Sequence, residues 1–277
     1  MTERNKAEIN SAQVVRRDID AALLDLLACP CGGRLALTPD DDGEAAICRA
    51  CGARYPMRQG IIDFLGLGLS GHEQAQELKR MEMRARDEQA TGYDRMMFLR
   101  LLSRREIPAV LAALKPEPGE AVFEAGCGTG RLTCVLAERC GRLVAADFSL
   151  GSLLLCAAKT RDALLIGADV CGAPLVEGAF DAIVSCQCLE HLPPEECGRA
   201  IASWRKALKP TGRLVLTAYH HTWWSRLLKR QEGTHGGEIY FRRFTPQMLR
   251  EMLEPHFRLD RVRPLGWYLL LASAHAS

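Results

Sequence analysis

The stretch that decides the fold reads Val122-Phe123-Glu124-Ala125-Gly126-Cys127-Gly128-Thr129-Gly130. It begins as a buried strand, breaks into three glycines, and is followed from Leu132 by a helical pattern. Because glycine has no Cβ atom, a ligand can approach the backbone closely, and the positive φ values of such a turn are tolerated. The N–H groups that open the next helix can then face that ligand. The pattern predicts a nucleotide-type site at the carboxyl end of a strand.

The chemistry of the ligand follows from the residues around the glycines. A dinucleotide fingerprint requires a third glycine three positions after the second, and Arg131 occupies that position. No Gly-Lys-Ser/Thr sequence follows, which argues against a Walker phosphate loop. Glu124 precedes the first glycine, and a carboxylate there repels phosphate and attracts an ammonium group. An amino acid carried on a nucleoside satisfies both conditions.

The motif Glu-Ala-Gly-Cys-Gly-Thr-Gly at 124–130 resembles the first motif of the class I S-adenosylmethionine-dependent methyltransferases. The resemblance extends through residues 119–277 and implies an α/β fold with a seven-stranded Rossmann-like sheet. Asp147 ends the next apolar strand, about 20 residues beyond the turn, where an acid can accept the ribose hydroxyls. Family members use matching residues to bind the cofactor. The implied S-adenosylmethionine-binding residues are Tyr93, Glu124, Gly126, Cys127, Gly128, Gly130, Asp147, Phe148, Asp169, Val170 and Cys186.

Two of these residues carry specific expectations from the resemblance. Asp169 matches the acid that meets the adenine amino group, and Tyr93 matches a tyrosine that covers the bound cofactor from an N-terminal lid. For Tyr93, a core position at a helix junction is the alternative interpretation. For the domain as a whole, the alternative is a doubly wound fold without a ligand.

Four cysteines near the start of the chain predict a metal site. Cys29 and Cys31 precede a predicted hairpin, and Cys48 and Cys51 lie at its far end. Thiolates on two turns can converge tetrahedrally on zinc. A segment this short buries little apolar surface, so a bound metal would also stabilise its fold. Two disulfides are one alternative. The other is a metal-free hairpin packed through Leu35, Leu37, Ile47 and Tyr55.

This segment resembles the small zinc-ribbon proteins that partner tRNA and translation-factor methyltransferases, over residues 18–65. The first pair departs from the family pattern because only Pro30 separates Cys29 from Cys31. The chain is therefore expected to comprise an unpatterned tail at 1–17, a zinc-ribbon-like β-hairpin domain at 18–65, a helical linker and lid at 66–118, and the methyltransferase domain at 119–277.

Composition indicates an ordinary globular protein. The chain has 277 residues, 48% of them hydrophobic and 25% charged, with a net charge of +2. No apolar run approaches the ~18 residues of a membrane span, and no signal core follows the N-terminus, so a cytoplasmic protein with no membrane partner is expected. The twelve cysteines, mostly scattered through apolar segments, are typical of reduced proteins. One basic cluster stands out, at Arg226, Lys229, Arg230, Arg242 and Arg243.

The acceptor site is predicted at the exits of the fourth and fifth strands, since ligands bind outside the carboxyl ends of parallel strands. An insertion at residues 219–243 is longer than a connection requires. It contains Trp223, Trp224, three histidines that include His235, and Tyr240, and this aromatic and histidine-rich segment is expected to form a lid over a flat acceptor. His191 and His220 are the candidate bases, with a structural role or a substrate contact as the alternative for each.

Three functions follow from this sequence. The first is methyl transfer from S-adenosylmethionine to a small-molecule acceptor bound under the lid. The second is methylation of an rRNA or tRNA base, in which the ribbon docks the RNA or a partner. The third is a cofactor-binding scaffold without catalysis.

Overall fold

The computed structural model describes residues 20–40, 43–93, 97–228, 230–235 and 239–277. The tail predicted at 1–17 lies outside them. The main feature is one eleven-stranded sheet with the order β1-β2-β3-β4-β7-β6-β5-β8-β9-β13-β12, beside a separate pair, β10 and β11. The strands are β1 (Leu35–Asp40), β2 (Gly43–Cys48), β3 (Arg54–Arg58), β4 (Ile61–Asp63), β5 (Ala121–Ala125), β6 (Arg142–Asp147), β7 (Leu164–Gly167), β8 (Phe180–Cys186), β9 (Leu208–Tyr219), β10 (Glu232–His235), β11 (Ile239–Arg242), β12 (Phe257–Leu265) and β13 (Leu269–Ala276).

Seven neighbouring strands of this sheet form the predicted Rossmann-like unit. Strands β7, β6, β5, β8 and β9 are parallel, and β13 and β12 continue the sheet in antiparallel pairing. The turn between β12 and β13 is too short for a parallel crossover, which dictates that pairing. The sequence-based assignment of an α/β methyltransferase-like sheet is confirmed.

The ribbon strands are continuous with this sheet. Strands β1 to β4 form an antiparallel meander, and β4 then pairs in parallel with β7, placing Ile62 opposite Ile166. Both Ile61 and Ile62 are fully buried. One hydrophobic core contains Leu27 and Tyr55 from the ribbon together with Phe180 and other residues of the methyltransferase-like part. The two parts are thus joined through backbone pairing and a shared core.

Helices connect and cover the strands. They are α1 (Ala21–Leu24), α2 (Glu73–Tyr93), α3 (Met97–Leu114), α4 (Thr133–Ala137), α5 (Leu150–Lys159), α6 (Pro194–Ala207), α7 (Trp223–Leu227) and α8 (Pro246–Leu253). Ser149 caps α5 by accepting a hydrogen bond from the Ser152 backbone N–H at 3.1 Å. Among the helices of the described residues, none has the length and apolarity needed to cross a bilayer.

Candidate functional site

The glycine turn after β5 has the geometry that its sequence predicts. Gly126, Gly128 and Gly130 all have positive φ, at 78°, 53° and 86°. A Cβ on Gly126 would lie 2.6 Å from Cys188 Sγ, and one on Gly130 would lie 2.6 Å from Cys156 Sγ. At Gly128 a Cβ would meet nothing within 4 Å. Gly126 and Gly130 therefore permit close packing behind the turn, and Gly128 faces open space.

A cleft opens at this turn, at the carboxyl ends of the parallel strands. Residues from α2 and α3 close one side of it, and residues after β8 close another. Eight of the predicted cofactor-binding residues line this cleft together: Glu124, Gly126, Cys127, Gly128, Asp147, Phe148, Val170 and Cys186. Gly130 and Asp169 are outside the lining, and the side chain of Tyr93 lies outside the described part of the chain.

Glu124 presents an unsatisfied carboxylate to the cleft. Its side chain is 2% exposed, and its Oε2 atom is buried without a hydrogen-bond partner among the described residues. Burial raises the pKa of this carboxyl to about 8. An orphaned acceptor of this kind is costly unless a ligand supplies a donor. The ammonium group of an amino acid would satisfy it.

Asp147 is held in one orientation by the backbone. Its Oδ2 accepts a hydrogen bond from the Gly128 N–H at 2.8 Å, and its Oδ1 accepts one from the Ser149 N–H at 2.8 Å. Each carboxylate oxygen keeps a further lone pair. Because Asp147 also lines the cleft, those lone pairs are suited to the two neighbouring hydroxyls of a ribose.

Asp169 has a different set of partners. Its Oδ2 accepts hydrogen bonds from Lys79 Nζ at 2.7 Å and from Ser70 Oγ at 2.8 Å. Burial alone would raise its pKa, but the Lys79 hydrogen bond and charge lower it below the usual range. Lys79 also lies 2.7 Å from Glu196 Oε2. Asp169 and Glu196 thus share a buried cation, and the carboxylate of Asp169 is engaged by protein groups rather than turned to the cleft.

His191 lines the cleft, close to the β10–β11 hairpin. Its Nδ1 is 2.7 Å from the Tyr240 carbonyl oxygen. A carbonyl only accepts, so Nδ1 carries the proton and Nε2 is the basic nitrogen of the neutral ring. Burial lowers the pKa of His191 well below its usual value, which keeps the ring neutral. The Tyr219 ring stands edge-on at 5.7 Å, and the His235 ring lies at 6.5 Å.

His220, the second candidate base, does not line the cleft. Its backbone N–H donates to the Tyr268 carbonyl at 2.8 Å, and its Nδ1 is buried without a partner among the described residues. Burial lowers the pKa of this imidazole. The structure therefore brings one of the two predicted histidines to the cleft.

The predicted lid has two parts, a pair of tryptophans and a hairpin. Trp223 and Trp224 are 60% and 49% exposed and stack on each other, with ring centroids 3.9 Å apart. Neither lines the cleft. The hairpin β10–β11 contacts the cleft side instead, through His235 and the Tyr240 carbonyl at His191. Within the predicted lid at 219–243, the hairpin therefore contacts the cleft and the two tryptophans do not. That an acceptor binds under this lid stays a prediction.

The sequence did not predict four charged residues that line the cleft, namely Glu82, Arg86, Glu106 and Arg131. Glu82 and Arg86 come from α2 and form an i,i+4 ion pair at 3.2 Å. Burial raises the pKa of Glu82 to about 7. Glu106, from α3, accepts hydrogen bonds from Gln187 Nε2 and Thr217 Oγ1, both at 2.6 Å. The i,i+4 spacing was the available signal for the first pair; no local signal marks Glu106.

The four ribbon cysteines converge as predicted. Their sulfur atoms all lie within 4.8 Å of one another, with Cys29 and Cys51 at 3.6 Å and Cys31 and Cys48 at 3.5 Å. Tetrahedral zinc with Zn–S bonds of about 2.3 Å separates sulfur atoms by about 3.8 Å, whereas a disulfide needs about 2.05 Å. Backbone hydrogen bonds from Cys51 and Ala50 lower the pKa of Cys48 to about 6. This donor set fits zinc.

Comparison with known families agrees with this geometry. Residues 123–216 match the family described as methyltransferase domain, and residues 20–60 match the Trm112p-like protein family. The chain carries a methyltransferase domain behind a Trm112p-like segment. Both resemblances inferred from the sequence are confirmed. The methyltransferase match begins at the strand that leads into the glycine turn and ends within β9.

The methyltransferase domain has curated relatives of modest identity. It is 29% identical over 117 residues to a demethylmenaquinone methyltransferase of Beutenbergia cavernae, covering 42% of this chain and 48% of that protein. A protein of the same name from Corynebacterium urealyticum is 35% identical over 102 residues, covering 37% and 43%. The chain therefore matches about half the length of these relatives.

Solved structures show the same fold. A Burkholderia thailandensis 1,6-didemethyltoxoflavin-N1-methyltransferase, solved with its substrate and S-adenosylhomocysteine, has a TM-score of 0.60 at 19% identity, covering 86% of this chain and 97% of that one. A Haloferax volcanii complex of the Trm112 methyltransferase activator with a putative methyltransferase gives 0.57 at 17% identity, covering 69% and 97%.

Proposed function

We propose that the protein transfers a methyl group from S-adenosylmethionine to a small-molecule acceptor. The observation that carries this proposal is the meeting of Glu124, Gly128 and Asp147 in one cleft. The buried Oε2 atom of Glu124, which has no hydrogen-bond partner among the described residues, suits the amine of the cofactor, and the backbone-held carboxylate of Asp147 suits its ribose. The glycine between them leaves space where the ligand would lie.

The acceptor is expected to be flat and largely apolar. Beside His191, next to the residues that line the cleft but not among them, the rings of Tyr219, His235, Phe241 and Tyr268 contact one another in a chain with centroid separations of 4.3–6.0 Å. An acceptor that extended past His191 would meet them. Aromatic faces bind planar ligands by stacking. The names of the relatives, which act on demethylmenaquinone, and of the neighbour that holds a toxoflavin precursor, are consistent with this class.

The residues of the cleft would act mainly by positioning. When bound, S-adenosylmethionine supplies an electrophilic methyl group on a sulfonium. The protein has to align the acceptor atom behind that methyl and exclude water. If the acceptor loses a proton, Nε2 of His191 is one candidate base, since Nδ1 is committed to Tyr240. Glu82, which lines the same cleft and has a pKa of about 7, is the other.

The Trm112p-like segment is proposed to hold one zinc ion through Cys29, Cys31, Cys48 and Cys51, in a structural role. All twelve cysteines are free of disulfides, which is consistent with the expected reducing, cytoplasmic environment. The alternative of an RNA acceptor rests on the ribbon and the basic cluster. Two of those cations have other contacts: Arg242 Nε lies 3.5 Å from Glu232, and Arg243 lies over the Phe241 ring at 4.5 Å.

Cofactor binding and acceptor class are tested separately. S-adenosylhomocysteine should raise the melting temperature of the wild-type protein and of Asp260→Ala, a control whose carboxylate is 40% exposed on β12. Asp147→Ala should lose most of that shift. Methyl-labelled S-adenosylmethionine, incubated with the protein and cell fractions, should label the small-molecule fraction. Label in RNA would support the alternative acceptor, and no label with cofactor bound would support a scaffold.

A further inference from the structure

One end of the molecule carries a cluster of exposed apolar side chains, here called the tryptophan surface. Three of the four tryptophans of the chain belong to it, and the fourth, Trp204, is fully buried. Such large side chains seldom remain in water without a binding role when they form a contiguous patch. The tryptophan surface consists of Leu101, Trp223, Trp224, Leu227, Leu228 and Trp267, which are 49–75% exposed.

These residues come from three segments that meet at the carboxyl end of β9. The His220 N–H donates to Tyr268, which ties the approach to α7 to the turn that carries Trp267. Leu102, next to Leu101 on α3, and Tyr268 both pack on the small core that contains Tyr219. The described residues include nine exposed large hydrophobic side chains. Six of them lie on segments that adjoin the small core around Tyr219.

The surroundings of the tryptophan surface are cationic. Arg226 and Arg230 are exposed beside the leucines of α7, and Arg104 and Arg105 follow Leu101 by three and four residues on the same helix. The sequence contains no Asp or Glu between Glu196 and Glu232, at 97–105, or after Asp260. The acids nearest in sequence to these cations are Glu106, which is buried, and Glu232, which lies 3.5 Å from Arg242. The exposed charges that border the apolar side chains are thus mainly cationic.

We infer that the tryptophan surface docks the protein on an anionic phospholipid bilayer. Tryptophan prefers the interface between acyl chains and headgroups, exposed leucines gain from contact with acyl chains, and the bordering arginines complement anionic headgroups. A nucleic acid would use the cations and the indoles but would leave the three leucines without a partner of their own kind. A docking site for another protein would not need its surrounding charges to be mainly positive, as they are around the tryptophan surface.

Docking would bring the acceptor side of the cleft close to the bilayer. Tyr219, which stands against His191, is four residues from Trp223 and packs on Tyr268 beside Trp267. The inference goes beyond the proposed methyl transfer and stands without it, because a surface that binds lipid does so whether or not the cleft binds a cofactor.

The test uses the full-length, zinc-loaded protein and vesicles of phosphatidylglycerol and phosphatidylcholine. We expect co-sedimentation with mixed vesicles at low salt, at least about tenfold weaker binding to phosphatidylcholine alone, and quenching of tryptophan emission by brominated lipid, since interfacial indoles contact acyl chains. Trp223→Ser/Trp224→Ser and Arg226→Gln/Arg230→Gln should each weaken binding about tenfold or more. Leu78→Ser/Met81→Ser, which changes two side chains 43% exposed on α2, should bind as the wild type does.

Several outcomes would overturn the inference. These are no binding to anionic vesicles at low salt, binding that the tryptophan variant leaves unchanged, and a wild-type dimer in solution that the tryptophan variant converts to monomer. Binding of RNA that depends on both tryptophans and is not displaced by vesicles would do the same. The melting-temperature shift with S-adenosylhomocysteine, measured on each variant, reports separately on the cofactor cleft.

Discussion

Lys79 Nζ lies 2.7 Å from Asp169 Oδ2, and both side chains are buried, at 3% and 7% exposure. The same nitrogen lies 2.7 Å from Glu196 Oε2. One cation from α2 thus neutralises two acids, one after β7 and one on α6. The cluster of Asp169, Cys171 and Glu196 has metal-like spacing, but the ammonium group already occupies the position between its carboxylates. This contact fixes the lid helix α2 to the methyltransferase domain.

Replacing Lys79 by methionine should be strongly destabilising. Two buried carboxylates would lose their shared partner, and breaking such a pair costs about 3–5 kcal/mol. The free energy of unfolding, measured with urea, should fall by about that amount, whereas Arg80→Met, at an exposed i,i+3 pair, should change it by less than about 1 kcal/mol. A loss below about 1 kcal/mol in Lys79→Met would show that the pair contributes little.

The pH dependence of this stabilisation has a defined sign. The pKa values of Asp169 and Glu196 are lowered in the folded protein by the Lys79 hydrogen bonds, against the opposing effect of burial. Stability from a lowered carboxyl pKa is present above the unfolded value, about 4, and is lost as the pH falls below it. The stability difference between wild type and Lys79→Met should therefore shrink on acidification, in urea titrations from pH 7 to pH 3.

The buried carboxylate of Glu124 should lower the stability of the ligand-free protein and be required for cofactor binding. Its pKa of about 8 means that folding disfavours the charged form, so the ligand-free protein should lose stability as the pH rises from the unfolded value through 8. Glu124→Gln should accordingly be at least as stable as wild type near pH 8 without ligand, yet lose the melting-temperature shift with S-adenosylmethionine. Glu138→Gln, 77% exposed, is the control.

Cofactor binding at Glu124 should also release a proton. An ammonium ligand favours the ionised carboxylate, so affinity should rise with pH toward 8 while the ligand amine stays protonated, and fall at higher pH where that amine loses its proton. Calorimetry in buffers of different ionisation enthalpy, at pH 7, should detect the release of up to about one proton per site. No release from the wild type, or the same release from Glu124→Gln, would contradict the assignment of the amine to this residue.

Alanine substitutions at Gly126 and Gly128 should have different effects, the first on stability and the second on cofactor binding. Gly126→Ala places a methyl group 2.6 Å from Cys188 Sγ and should cost about 1–3 kcal/mol of stability. Gly128→Ala meets no protein atom within 4 Å, so only the positive φ should cost about 1 kcal/mol, while the methyl group would intrude where the cofactor is proposed to lie. We expect Gly128→Ala to lose most S-adenosylhomocysteine binding by calorimetry at near-normal stability. Normal binding would place the ligand elsewhere.

Local patterns explain what the sequence predicted well. The turn from Glu124 to Gly130 and the acid at Asp147 are defined by residues within one strand–turn–helix unit, where spacing is a direct geometric constraint. Asp169 was placed at the adenine by resemblance, but its environment is set by Lys79, ninety residues earlier on a helix whose charged pattern indicated only a surface or lid. The sequence likewise did not show that Trp223 and Trp224 stack on each other in solvent while the β10–β11 hairpin of the same insertion contacts His191.

Loss of zinc should affect the whole protein rather than the ribbon alone. The ribbon core is shared with the methyltransferase domain, and β4 pairs with β7, so the two parts are expected to unfold together.

Elemental analysis should find about one zinc per chain, removed in Cys48→Ser/Cys51→Ser. That variant should melt in one transition at a lower temperature, detected equally by far-ultraviolet circular dichroism and by tryptophan fluorescence, to which the buried Trp204 contributes. Cys134→Ser, a partly exposed cysteine outside the cluster, should keep both the zinc and the melting temperature. A metal-free wild type, or a zinc-free variant with unchanged melting, would show that the hairpin folds by packing alone.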